Sequence, residues 1–261
     1  MRDTVAYLQS FAHFPLAHRA FLQRPLTLQQ ARAIVAERFE QRESNFLRIV
    51  ERSIYNHPPS PYLKLLRHAS CELGDLRALV AARGLDGALH ALRDAGVYVT
   101  FEEFKGRAPI VRGGTTIAVS ARDFDNPCAR RDVTMTTGGT SGVATAVNHD
   151  LDHIASTATV AMLMFDAWNV LASPVVFWQH ILPGPGLRFV MQRARFAPPA
   201  AAWYSSRGWF DSRSWLKFDM ATIYALFWMR AFGTRIPLPR IVRPADALVQ
   251  KIGRASCRER V

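Results

Sequence analysis

The sequence predicts an α/β protein in which a helical region is followed by part of a layered α/β domain. Three observations indicate this class. Apolar positions recur at helical spacing as far as residue 96, short β-branched and aromatic runs begin at residue 97, and helices then alternate with strands. Apolar residues make up 49% and charged residues 21% of the 261 residues, which excludes disordered, collagen-like and coiled-coil proteins.

The first predicted element is a long amphipathic helix over residues 27–54. Thr27 and Gln30 have the spacing of a capping box, and apolar residues then recur every three or four positions. A proline-rich segment that begins at Pro58 ends this helix. Three shorter helices, the last two with an aspartate N-cap and a glycine stop, are predicted over residues 62–68, Asp75–Ala82 and Asp86–Ala95.

Strands are predicted from residue 97 onward, where apolar residues alternate or cluster in short runs. The expected strands are Val97–Phe101, Pro109–Arg112, Thr115–Ser120, Asp132–Thr136, Ala144–Asn148 and Pro174–Trp178. Asp150 is expected to cap a helix that runs to about Val170, and an apolar helix is expected over residues 213–232. Between them, the run Pro183–Gly186 predicts a turn.

The last eleven residues, 251–261, are expected not to belong to the fold. They are polar and arginine-rich, and they match, codon by codon, the translation of a common sequencing adapter. We therefore expect native sequence to stop near Gln250 and the natural protein to continue beyond it. A natural basic tail is the alternative. Without this segment, which holds four basic residues and one acidic residue, the net charge falls from +12 to +9.

Charge and cysteine usage narrow the classes of partner. The basic residues are 29 arginines and 4 lysines, and they form no block of like charge, so no nucleic-acid partner is expected. Cys71, Cys128 and Cys257 lie far apart and indicate neither a zinc site nor a disulfide framework. No secretory signal opens the chain and its apolar runs are too short or too polar to span a bilayer. We therefore expect a cytoplasmic protein without stable membrane insertion, whose oligomeric state stays open.

The most informative stretch of the sequence is a loop between two predicted strands, Thr137-Gly138-Gly139-Thr140-Ser141-Gly142. Its glycines let the backbone turn tightly and approach a ligand closely. Its hydroxyl groups can donate hydrogen bonds to phosphate oxygens, and consecutive backbone N–H groups in such a turn form an anion-binding nest. The spacing fits neither a Walker loop nor a dinucleotide fingerprint. A polar hairpin turn that binds nothing is the alternative interpretation.

This loop resembles the phosphate loop of the adenylate-forming superfamily of acyl-CoA synthetases, above all that of the phenylacetate–CoA ligase-like group and the related acyl-protein synthetases. Residues 137–145 match the family's Ser/Thr/Gly-rich pattern, except that Ala144 replaces the usual proline and Thr145 the lysine of many members. The preceding segments Gly96–Gly106 and Pro109–Arg112 look like the first part of the domain in this group. The resemblance covers most of residues 27–250.

The resemblance implies a helical region over residues 1–96 and part of the adenylate-forming α/β domain over residues 97–250. It also implies a two-step reaction. A small-molecule carboxylate attacks the α-phosphate of ATP, bound with Mg²⁺, to give an acyl-adenylate and pyrophosphate, and a thiol, usually that of coenzyme A, then takes the acyl group. The sequence contains no counterpart of the family's adenine, ribose and lysine motifs, so we expect the chain to be inactive by itself.

In this interpretation Thr137, Thr140 and Ser141 would hold the β- and γ-phosphates, assisted by the N–H groups of the loop glycines. Trp178 and His180 follow a predicted strand, where related enzymes place an aromatic or histidine wall of the acyl pocket. A purely structural histidine is the alternative at position 180.

Two other functions stay open from the sequence. In the first, a non-catalytic protein uses the basic helix 27–54, through Arg32, Arg38, Arg42 and Arg48, to bind a partner or an anionic surface. In the second, the acyl group passes to a protein thiol instead of coenzyme A. The sequence names neither the acid nor the acceptor.

Overall fold

A computed structural model of the chain describes residues 14–22, 25–130, 132–136, 146–211 and 215–242. The chain divides into two compact units. The helical unit comprises residues 33–129, and the sheet unit comprises residues 1–32 and 130–261, so the helical unit is an insertion in the sequence of the other. Among the described residues, no helix is both long and apolar enough to cross a bilayer.

The first half of the chain is helical, as predicted. In order, it contains α1 (14–22), α2 (Leu28–Glu40), α3 (Arg42–Val50), a π-helical turn (Glu51–Tyr55) and α4 (Pro61–His68). The capping box at the start of α2 is confirmed, because the Gln30 N–H donates to Thr27 Oγ1 at 3.2 Å and the Thr27 N–H donates to Gln30 Oε1 at 3.0 Å. The single helix predicted over residues 27–54 is wrong in detail, since Gln41 interrupts it and a π-helical turn closes it.

The two helices predicted on either side of residue 84 form one kinked element, α5 (Leu73–Asp94). Gly84 marks the kink with φ +67°, a left-handed conformation that suits glycine. Asp75 is not the N-cap predicted from the sequence. It lies three residues into the helix, where its carboxylate accepts the Glu72 N–H at 2.9 Å and completes a capping box.

The strand predicted over Val97–Phe101 is wrong. Residues 97–100 have no regular structure, and a short helix, α6 (Phe101–Phe104), follows them. The reason is a second capping box, in which the Thr100 N–H donates to Glu103 Oε2 at 2.7 Å and the Glu103 N–H donates back to Thr100 Oγ1 at 3.4 Å. These two side-chain bonds outweigh the strand propensity of the apolar run.

Two short strands complete the helical unit, close to where the sequence predicts them. They are β1 (Ile110–Arg112) and β2 (Thr115–Ile117), which pair antiparallel with Ile110 opposite Ile117. The second ends three residues earlier than predicted, and a 3₁₀ turn, Ala121–Phe124, follows. The unit's apolar side chains form two clusters, one around Val50, Leu66, Leu76 and Val80 and the other around Leu65, Ile110 and Ile117.

The sheet unit makes the chain a mixed α/β protein. After α1, its elements are β3 (Val133–Thr136), β4 (Ala146–His149), α7 (Leu151–Ala167), β5 (Val176–Trp178), α8 (Gly186–Arg193), β6 (Ala202–Ser205), α9 (Trp215–Ala231) and β7 (Pro239–Ile241). Strands β3 and β4 form an antiparallel pair, whereas β5, β6 and β7 form a parallel sheet in chain order. Helices α1 and α8 and strands β6 and β7 were not predicted from the sequence.

The core of the sheet unit surrounds the central strand of the parallel sheet. Trp203 on β6 is completely buried among apolar side chains of α1, α7, α8 and α9. Gly186, the first residue of α8, lies directly against the Trp203 ring. A Cβ at this position would lie 2.5 Å from Trp203 Cζ2 and 2.6 Å from the His180 carbonyl oxygen. The predicted turn before α8 therefore ends in a glycine that the packing requires. The predicted border at residue 96 between helical region and catalytic domain stays a prediction.

Candidate functional site

The segment with the predicted phosphate loop joins the two strands of a hairpin. Strands β3 and β4 pair antiparallel from Val133 opposite His149 to Thr136 opposite Ala146. Residues 137–145 connect the last pair, and the predicted ligands Thr137, Gly138, Gly139, Thr140, Ser141 and Gly142 lie outside the described residues. The structure describes the two strands on either side of this segment, which together form the frame of the loop.

The root of the hairpin is held at the beginning of α7. The Leu151 N–H donates to Asp132 Oδ2 at 2.9 Å, and the His153 N–H donates to the carboxylate of Asp150, the N-cap predicted from the sequence. Carboxylates at this position also interact favourably with the positive end of the helix dipole. Met135 on β3 is buried in the core. Hydrogen bonds at the root and apolar packing along the strand thus fix the frame of the loop.

A second candidate region lies where the parallel strands β5 and β6 end. The carboxyl ends of parallel strands share one edge of a sheet, which is the usual place for ligands in α/β proteins. His180 follows β5 and Ser206 follows β6, and His180 Nδ1 lies 3.2 Å from Ser206 Oγ. His180 is exposed and Trp178 is 46% exposed. The two predicted substrate-binding residues are therefore accessible at this edge.

The same edge contains an ion pair that the sequence does not predict. Arg207 Nη1 lies 2.8 Å from Asp219 Oδ1, and it also donates to the Leu182 carbonyl oxygen at 2.6 Å. The Asp219 carboxylate is completely buried in α9 and accepts the Phe210 N–H at 2.7 Å. This pair ties the loops after β5 and β6 to α9. The only signal of it in the sequence was Asp219 itself, the single acidic residue of a mostly apolar helix.

An aromatic pocket of about 360 Å³ lies beside β5, between α7 and α8. Phe177 and Gln179 line it, whereas Trp178 and His180 do not. Alternate residues of a strand point to opposite faces, so the pocket and the exposed Trp178 ring belong to opposite sides of β5. Phe177 and Gln179, which line this pocket, are thus the sequence neighbours of Trp178 and His180, which were predicted to form a pocket wall.

Within the described part of the chain, no group of three or more histidine, cysteine or acidic side chains is arranged to hold a metal ion. Cys71 is buried and Cys128 is exposed, and neither is in a disulfide. Burial raises the pKa of the Cys71 thiol, which makes it a poor nucleophile at neutral pH.

The arginines of the predicted basic helix have partners within each unit. Arg32 lies 3.0 Å from Asp166 and Arg42 lies 3.8 Å from Asp86, while Arg48 donates to the Asn45 side chain. These contacts are on the surface, where an ion pair contributes about 1 kcal/mol or less. The two ion pairs, of Arg32 and Arg42, lower the positive charge that this helix presents to an anionic surface.

The candidate features for chemistry, namely the hairpin, the carboxyl edge of the parallel sheet and the aromatic pocket, all belong to the sheet unit. No family model matches this chain, and neither a curated protein nor a solved structure matches it significantly.

Proposed function

We propose that the chain is the phosphate-binding, N-terminal part of an ATP-dependent ligase that joins a small-molecule carboxylate to a thiol. The observation that carries the proposal is the Thr137–Gly142 sequence in the segment that joins the two strands of an antiparallel hairpin, whose root is anchored on α7. A Ser/Thr/Gly-rich loop between two paired strands is the arrangement that the resemblance to adenylate-forming enzymes implies.

The residue types suit the chemistry of the first step. Adenylation needs the triphosphate held in one orientation while charge moves onto pyrophosphate, so positioning and charge stabilisation dominate its catalysis. Small hydroxyl donors at Thr137, Thr140 and Ser141 would bind the β- and γ-phosphates of the substrate Mg-ATP. Thr145 replaces a lysine of many relatives, so backbone N–H groups and Mg²⁺ would supply more of the compensating charge.

The rest of the sheet unit agrees with this function. The hairpin is followed by α7, and the parallel strands β5, β6 and β7 then alternate with α8 and α9. Such a layered arrangement supplies an accessible carboxyl edge, where Trp178 and His180 lie. Coenzyme A is the proposed acceptor, a protein thiol is the alternative, and the proposed location is the cytoplasm.

Equilibrium binding of ATP tests the proposal, because turnover is not expected from this chain. We expect Mg-ATP to protect residues 137–145 from hydrogen exchange, and pyrophosphate to compete with it, whereas AMP should protect the segment far less. Replacing Thr140 and Ser141 together by alanine removes two hydrogen bonds to charged oxygens. Each such bond contributes about 1.5–3 kcal/mol, so affinity should fall by about 100-fold or more.

Thr116→Ala is the matched control, because Thr116 is an exposed strand residue of the helical unit. This variant should bind ATP as the unmodified chain does. Equal protection by AMP and ATP, or an unchanged ATP affinity in the double variant, would contradict the proposal.

A further inference from the structure

The aromatic pocket beside β5 has the composition of a small-molecule site. Its apolar wall consists of five aromatic rings and two smaller side chains, namely Phe165, Trp168, Phe177, Phe189, Phe196, Ala161 and Met164. A volume of about 360 Å³ lies within the range of ligand pockets, which are mostly apolar with a few polar groups that fix orientation. Trp168 is 64% exposed, so the pocket has an accessible rim.

One of the polar groups is a buried arginine without an acidic partner. Arg193 is 2% exposed, and no carboxylate of the described residues forms an ion pair with it. Its Nε donates to the Pro198 carbonyl oxygen at 3.1 Å and its Nη2 to those of Ser173 at 3.0 Å and Leu171 at 3.5 Å, while Nη1 has no hydrogen-bond partner in the described structure. Burying a cation without a neighbouring anion costs free energy. The described residues supply no such anion for Arg193.

The guanidinium is also held in a fixed orientation. Arg193 Cζ lies 5.3 Å from the centre of the Phe165 ring, and Arg188 Cζ lies 5.0 Å from that of Phe189, so a pocket ring supports each cation. Together with the three carbonyl oxygens, this contact leaves the Arg193 guanidinium little freedom. A ligand that binds it loses little of its affinity to side-chain ordering.

Two further buried polar atoms belong to the same helix. Arg188 Nε and Gln192 Oε1 have no hydrogen-bond partner among the described residues, although the Gln192 amide nitrogen donates to the Thr157 carbonyl oxygen at 2.9 Å. Arg188, Gln192 and Arg193 all line the pocket. Buried polar atoms normally have partners. Arg193 Nη1 and Arg188 Nε are both donors, so they indicate a ligand that supplies acceptor oxygens, whereas the Gln192 oxygen is itself an acceptor and would need a donor.

We propose that this pocket binds a monocarboxylate with an apolar body, whose carboxylate pairs with Arg193 and Arg188 and whose apolar part packs among the phenylalanine rings. A carboxylate supplies two acceptors in the plane of a guanidinium fork, and the aromatic wall excludes phosphate or another fully hydrated anion. The inference does not rest on the proposed ligase function, because no residue of the hairpin lines the pocket.

Calorimetric titration of the full chain with 2-naphthoate tests the proposal, with uncharged 2-naphthamide as the ligand control. We expect the carboxylate to bind at least ten-fold more tightly than the amide, because only the carboxylate forms charge-assisted hydrogen bonds with both arginines. Octanoate in place of naphthoate distinguishes a flexible acyl body from an aromatic one. Equal affinity for naphthoate and naphthamide, or binding of neither, would overturn the proposal.

Variants locate the site. Arg193→Met should weaken naphthoate binding ten-fold or more, and Arg230→Met is its control, because Arg230 of α9 also donates to a backbone carbonyl but lies outside the pocket. Since Arg193 also ties down backbone, Arg188→Gln and the pocket-filling Ala161→Trp provide second tests. Both should reduce naphthoate affinity in a chain whose circular dichroism is unchanged, and retained affinity in folded variants refutes the site. None of these changes should alter ATP protection of residues 137–145.

Discussion

Arg112 in the helical unit and Arg193 in the sheet unit are buried in opposite ways. In the helical unit, Arg112 pairs with the Glu103 carboxylate at 2.9 Å, donates to the carbonyl oxygens of Gly96 and Tyr98, and lies over the Tyr98 ring. In the sheet unit, Arg193 has backbone carbonyl partners and an aromatic ring but no carboxylate among the described residues.

The difference extends to the electrostatics. The Arg112 guanidinium lowers the pKa of the Glu103 carboxyl group, and Glu103 raises the pKa of Arg112, so each stabilises the charge of the other. Burial lowers the pKa of Arg193, and no carboxylate of the described residues offsets this effect. A buried arginine that is fully paired holds a fold together, whereas one that is unpaired at the wall of a cavity indicates a ligand.

Breaking the helical unit's pair should have the largest effect on stability. Arg112→Met leaves the Glu103 carboxylate without its cation and removes the hydrogen bonds to Gly96 and Tyr98. Loss of one partner of a buried pair is strongly destabilising, and we expect about 3 kcal/mol less unfolding free energy in a urea titration. The exposed pair Arg107–Glu102 is the control, and Arg107→Met should cost less than about 1 kcal/mol. Equal costs would mean that burial of the pair is unimportant.

Acid should destabilise the sheet unit through one residue, His18. It lies completely buried between Phe14 and Phe21, neither ring nitrogen has a partner in the described structure, and burial lowers its pKa from 6.5 to about 4. Below pH 6.5 the unfolded chain therefore binds a proton that the folded chain does not. The stability is complete above pH 6.5 and falls by about 3 kcal/mol as the pH approaches 4.

Replacing this histidine isolates its contribution. His18→Phe should flatten the dependence of unfolding free energy on pH between 6.5 and 4. His90→Phe, at an exposed position of α5, should leave that dependence unchanged. An unaltered pH profile in the His18 variant would show that another group causes the acid sensitivity.

Two glycine positions provide the smallest contrast. Gly186→Ala in the sheet unit places a methyl group against Trp203 and the His180 carbonyl, and overpacking of this kind costs about 1–3 kcal/mol. Gly74→Ala in the first turn of α5 meets nothing within 4 Å and should stabilise the helical unit by about 0.5 kcal/mol. Thermal unfolding followed by circular dichroism measures both, and destabilisation by Gly74→Ala would contradict this view of packing.

Local patterns predicted the parts of the fold that short-range contacts decide. The capping box of Thr27 and Gln30, the break at Gly84 and the N-cap Asp150 all depend on groups within a few residues of one another. The wrong strand prediction at Val97–Phe101 also has a local cause. The apolar run favours a strand, but the Thr100–Glu103 capping box within a few residues begins a helix instead. Strands β6 and β7 escaped prediction because three- and four-residue strands of a parallel sheet carry almost no periodicity.

For the candidate sites the division is sharper. The sequence by itself determined that a Ser/Thr/Gly-rich segment joins two strands ahead of a capped helix, because turn chemistry and capping are written in neighbouring residues. It could not show which of the 29 arginines is buried without a carboxylate, or that Phe177 and not Trp178 lines the pocket. Only tertiary structure decided those, because burial and the lack of a countercharge depend on side chains brought together from α7, β5 and α8.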